Sequence, residues 1–100
     1  MPAYMLTFLR VEDVETHARD YLPEAHAILL KYGGKPLAVT EDFEVIEGAL
    51  PTGRLILMEF PSKEAARKYY LGPEHRPYKD ILDKTASCDL AIFEGTAVPG

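Results

Sequence analysis

The sequence contains no tryptophan, a single cysteine, three histidines and no block of basic residues. Each shortage removes a class of function. Cys88 alone cannot close an intramolecular disulfide, and its apolar surroundings mark it as a buried, inert thiol. The 11 Lys and Arg are scattered among 16 Asp and Glu, so the formal charge of -5 leaves no surface to attract nucleic acid or an anionic bilayer. No apolar stretch approaches the ~20 residues that cross a membrane, and MPAYMLTFLR lacks the basic start and long apolar centre of a signal peptide. A soluble cytoplasmic protein is expected. No histidine has a second one at the four-residue helical spacing, and no Gly-rich phosphate loop, Ser-His-Asp arrangement or paired-Cys motif is present. Neither metal nor cofactor is expected.

What is present reads as one domain over residues 1–100, with residues 96–100 as a frayed tail. AYMLTFLRV (Ala3–Val11), RLILMEF (Arg54–Phe60) and CDLAIFEG read as strands, the first two apolar enough to be covered on both faces. KPLAVT and FEVIEG read as one bent or bulged strand region, or a short hairpin, at an edge. From Asp13, a plausible N-cap, to Gly33, a plausible helix stop, apolar residues recur at three- and four-residue steps: Val14, Ala18, Tyr21, Leu22, Ala25 and onward. Pro23 is expected to kink this helix without ending it. A second helix starts after Ser62, breaks at Gly72-Pro73 and resumes.

The order β-α-β-β-α-β predicts an α+β, ferredoxin-like fold: a four-stranded antiparallel sheet with both helices on one face. The first and third strands offer no polar side for the other face, and a bare apolar sheet is too large a patch for a monomer. A homodimer joined through the sheet face is therefore expected.

The segments MPAYMLTFLRVED, KYGGKPL, VIEGALP and, above all, EFPSKEAARKYY followed by GPEH resemble the bacterial domain-of-unknown-function family numbered 1330, within the dimeric α/β-barrel superfamily. The resemblance covers nearly the whole chain, although the family usually carries tyrosine where this sequence has His75. It implies the fold and the dimer and leaves the activity open.

Candidate site residues crowd the break in the second helix. His75 and Tyr78 share a helix face, whereas Tyr69 lies six residues back, about 120° away on an unbroken helix, and the break can rotate them together. In polyketide cyclases of the superfamily a Tyr and a His at this separation form an acid/base pair, and Tyr69 and His75 look like that pair. The plainer reading makes Tyr69 and Tyr70 core aromatics and His75 a solvated residue. His17 and His26 fall on opposite flanks of the first helix, about 80° and 100° from the centre of its stripe, where histidines are usually solvated. Glu59 sits within a buried strand, where an unpaired carboxylate is costly, so it is expected near the mouth of a cavity or paired with Arg10 or His26. The expected function is binding of a small organic molecule between sheet and helices, with Glu59, Arg10, Tyr70, Tyr78 and His26 around it. The alternative is a cofactor-free cyclase, isomerase or monooxygenase using His75 and Tyr69.

Overall fold

The structure, a computed structural model, describes residues 1–95, and the frayed tail expected at 96–100 lies outside the described residues. Strands β1 (Ala3–Val11), β2 (Lys35–Thr40), β3 (Arg54–Phe60) and β4 (Ala86–Glu94) form one antiparallel sheet in the order β2-β3-β1-β4. The first crossover consists of α1 (Val14–Thr16), a π-helical turn (His17–Tyr21) and α2 (Leu22–Lys31). The second consists of α3 (Lys63–Leu71) and α4 (Arg76–Thr85). This is the expected ferredoxin-like α+β arrangement. None of the described helices is long and apolar enough to cross a membrane.

Register explains which side of the sheet is covered. Met5 lies opposite Met58 on β3 and Ile92 on β4, and Thr7 lies opposite Ile56 and Leu90, so these residues share a face. That face meets the helices: Met5, Met58 and Phe60 pack with Ile28, Leu29, Ala66 and Tyr69, and a second cluster joins Tyr21, Ala25 and Leu82 to Leu9 and Cys88. The odd-even alternation of β1 turns Tyr4, Leu6 and Phe8, with Leu55 and Leu57 opposite the latter two, to the reverse face. No described helix covers that face.

The helix ends follow their capping residues. Asp13 accepts from the Thr16 amide at 3.1 Å and Ser62 from the Ala65 amide at 3.0 Å, both as the sequence indicates. Gly33, at φ +75°, stops α2, and the Gly34 amide returns to the Leu29 carbonyl at 2.8 Å. FEVIEG is not a strand. The Thr40 hydroxyl accepts from the Asp42 amide at 3.0 Å, turning the chain off the sheet edge, and Phe43 then packs edge-on against Phe8, 5.9 Å between ring centres. The segment 41–53 thus folds toward the uncovered face instead of lengthening the edge.

The expected kink at Pro23 takes the form of the π turn. Pro23 cannot donate to the Arg19 carbonyl, and one extra residue in the preceding turn accommodates its ring, with the Leu22 amide reaching back five residues to the His17 carbonyl. The extra residue shifts phase. On a regular helix His17 would stand about 80° from Ala25, whereas removing one ~100° step brings it within about 20°. His17 is accordingly 3% exposed, while Val14 and Ala18, assigned to the stripe by continuous periodicity, face solvent.

Candidate functional site

Between the sheet and the helices lies a partly open cavity of about 180 Å³. Its floor is Met5, Thr7, Leu9, Ile56, Met58, Cys88 and Leu90 from three strands, and its roof includes His17, Tyr21 and Ala25 from the first crossover with Tyr69, Tyr70 and Leu82 from the second. Leu22 and His26, both exposed, lie at its rim. Among the described residues no Lys, Arg, Asp or Glu lines it, so a charged ligand would have no counter-ion in its walls.

Two hydrogen-bonded chains organise the polar groups. In the first, Thr85 donates its hydroxyl to the Ile81 carbonyl at 2.8 Å, so at 3.1 Å it accepts from Nδ1 of His17. In this arrangement the proton sits on Nδ1, and Nε2 is an acceptor with no protein partner among the described residues. Because no fully enclosed side-chain nitrogen or oxygen in the described structure lacks a partner, Nε2 keeps some accessible surface, and His17 is one of the residues that line the cavity. Burial, reinforced by the positive charge of Arg54, lowers the His17 pKa, so the ring is neutral at pH 7.

The second chain ties up His75. Its Nδ1 lies 2.8 Å from the Tyr70 carbonyl, which can only accept, so Nδ1 carries the proton. Nε2 therefore accepts the hydroxyl hydrogen of Tyr21, at 2.7 Å. His75 is completely buried, which corrects the solvated placement, and burial lowers its pKa as well. Burial pushes the Tyr21 hydroxyl up, well beyond the usual tyrosine range. The helix break exists around this ring: His75 precedes α4, its carbonyl accepts from the Tyr78 and Lys79 amides, and Lys31 and Tyr32 of the first crossover both reach Glu74.

The predicted residues are distributed as follows. Tyr69 lines the cavity, and its hydroxyl, raised to about 12 by burial, has no hydrogen-bond partner among the described residues. The Tyr69 and His75 ring centres are 5.9 Å apart, but no hydrogen bond joins them, and His75 stands behind Tyr21 rather than on the cavity wall. Tyr70 lines the cavity with its hydroxyl 3.8 Å from the Cys88 sulfur. Tyr78 is half-buried beside both core clusters without reaching the lining. Glu59 and Arg10 correct the expected cavity wall: both project from the other side of the sheet, as period-two alternation requires of Glu59 beside Phe60 and Arg10 beside Leu9. Glu59 has Tyr4 and Lys35 as cross-strand neighbours, and Arg10 binds Asp89 at 2.7 Å, the Thr52 carbonyl and Ser87. His17 and Tyr21 were not expected in the site. Tyr21 already stood in the apolar stripe; the signal that could have found His17 is Pro23, whose π turn resets the helical phase. Among the described residues no group of three His, Cys, Asp or Glu is placed to hold a metal ion.

Residues 2–96 match the family described as Domain of unknown function (DUF1330), and the chain belongs to that family. No functionally curated protein matches the sequence. Among solved structures, the RPA0582 protein of unknown function from Rhodopseudomonas palustris is similar at TM-score 0.73 and 17% identity, covering 97% of this chain and 84% of that one. SnoaB, a cofactor-independent oxygenase from Streptomyces nogalater, is similar at TM-score 0.58 and 13% identity, covering 97% and 95%. Rv0793 from Mycobacterium tuberculosis is similar at TM-score 0.56 and 10% identity over the whole of both chains. At these identities the likeness is one of fold.

Proposed function

We propose that this member of the DUF1330 family is a homodimer that binds a small, uncharged, largely apolar organic molecule in the cavity between its sheet and helices. The observation that carries the reading is a ring-sized space walled by apolar and aromatic side chains, into which a few polar groups open without protein partners. A space of about 150 Å³ with such walls takes benzene, and this one is about 180 Å³. Met5 and Met58 form part of the floor, and their methyls serve as reporters. Toluene should shift both in carbon-proton correlation spectra, and Ala25→Leu, which fills the space from the roof, should abolish the response. Methyls that ignore every small ring compound, or that respond equally in the filled variant, would sink the reading.

The dimer is supported by the sheet face that no described helix covers, where Leu6 stands opposite Leu57 and Leu55 lies opposite Phe8, which Phe43 already covers. Light scattering should give about 22 kDa, twice the 11.2 kDa of the chain, and Leu57→Lys should halve it. A wild-type mass of one chain at micromolar concentration overturns this part. A cytoplasmic location fits the single free thiol of Cys88.

A second reading, turnover of the bound molecule without a cofactor, draws on the fold shared with SnoaB and on the Tyr21-His75 hydrogen bond. In it Tyr69 would hold the substrate, and His75 would act only through the Tyr21 hydroxyl that separates it from the cavity. Tyr21→Phe would then remove activity as completely as loss of His75; retained turnover in Tyr21→Phe excludes that route.

A further inference from the structure

We propose that the molecule taken by the cavity is a neutral monocyclic hydroxyarene, whose hydroxyl gives its hydrogen to Nε2 of His17. The proposal rests on the cavity-binding reading above and goes further by naming the chemistry of the ligand.

The argument is one of donor and acceptor direction. With the Thr85 hydrogen on its shortest contact, the Ile81 carbonyl at 2.8 Å, Nδ1 of His17 at 3.1 Å donates to Thr85, and Nε2 is left to the cavity as an acceptor. One helical turn on, Tyr21 has given its hydrogen to His75, whose own hydrogen is held by the Tyr70 carbonyl, so the Tyr21 oxygen also retains only acceptor capacity. The π turn sets these two rings side by side, 5.0 Å between centres, both on the cavity wall. A ligand at this end therefore has to bring a hydrogen. An ammonium would bring one, but no carboxylate among the described residues lines the space to pair with it, and a carboxylate ligand would meet two acceptors and no cation in the lining, since Arg54, whose charge reaches His17, stands outside it and is paired with Glu41. A neutral hydroxyl meets the requirement. The space admits one six-membered ring, and the faces and edges of Tyr21, Tyr69 and Tyr70 with the sulfurs of Met5, Met58 and Cys88 favour an aromatic one. The Tyr69 hydroxyl, unpaired among the described residues, is free to donate to the ligand oxygen in return.

The test titrates protein carrying nitrogen-15 histidine and carbon-13 methionine methyls with phenol and, separately, with toluene. Phenol should move the Nε2 resonance of His17 in the direction of an accepted hydrogen bond, and toluene should move only the methyls of Met5 and Met58. His17→Leu should lower the ratio of phenol to toluene affinity by roughly tenfold, since it deletes the acceptor while transfer of each ring from water is unchanged. Should that variant not fold, the wild-type Nε2 response decides alone. Toluene binding without phenol binding, or phenol binding that leaves Nε2 unmoved, overturns the hydroxyarene and leaves the cavity reading standing. If neither compound moves the methyls, both readings fall.

Discussion

Replacing Tyr21 with phenylalanine removes one oxygen and isolates the contribution of the buried Tyr21-His75 pair. The Tyr21 ring stays, packed with Ala25 and Leu82, so no large cavity opens. What changes is Nε2 of His75, which loses its 2.7 Å donor inside a residue with no exposed surface. An acceptor stranded in this way costs about 1–3 kcal/mol, which for a domain of this size lowers the melting temperature by roughly 5–20 °C. His75→Leu should cost more, because it strands both the Tyr21 hydroxyl and the Tyr70 carbonyl. The double variant Tyr21→Phe/His75→Leu removes both partners of the first bond, so its cost should fall short of the summed single costs by about 0.5–3 kcal/mol. Urea denaturation of the four proteins measures each value. Tyr21→Phe within about 0.5 kcal/mol of wild type, or strictly additive costs, would refute the bond and with it the acceptor assignment of the Tyr21 oxygen.

Acid should destabilise the protein earlier than carboxylate titration alone would. His17 and His75 are both held below the ordinary 6.5, chiefly by burial, so below that pH the unfolded chain binds protons that the folded one refuses. Stability is complete above about pH 6.5 and declines below it, by up to about 1.4 kcal/mol per pH unit for each histidine until its folded pKa is reached; a flat stability profile between about pH 6.5 and 5 would contradict this. Gly34→Ala should cost about 1–3 kcal/mol by overpacking, since its Cβ would fall 2.0 Å from Leu29 Cδ1 and 2.9 Å from Phe60 Cε1, and an unchanged urea midpoint would count against that packing. Pro23→Ala restores a donor to the Arg19 carbonyl and should let the π turn relax into α-helix, breaking the His17-Thr85 contact seen by nuclear Overhauser effects; persistence of that contact would show that Pro23 is not what holds the turn.

The fold was legible because it is written in signals that act locally. Ser62 and Asp13 cap helices through their own side chains, Gly33 stops one through a backbone conformation that suits glycine, and the apolar strands can be covered only by something. FEVIEG failed for the same reason in reverse. Its residues favour extended backbone, but whether an extended segment joins a sheet depends on a partner edge and on the turn before it. Here the turn at Thr40-Asp42 and the contact of Phe43 with Phe8 decide the outcome, and neither follows from propensity.

The site was half legible. The rings of Tyr69, Tyr70 and His75 do gather beside Gly72-Pro73, but pairwise spacing could not say which atom faces which. The answer turns on one inserted residue. With a continuous helix, His17 lies on a flank and Ala18 in the stripe; with the π turn before Pro23, His17 joins Tyr21 on the wall. The turn thereby leaves the two histidines with different tasks. His75, with both nitrogens occupied, holds the helix break and orients Tyr21, whereas His17, with one nitrogen occupied, is the histidine left to meet a ligand. Hydrogen-bond saturation, rather than position in a familiar pair, therefore decides which imidazole is available for chemistry in this cavity.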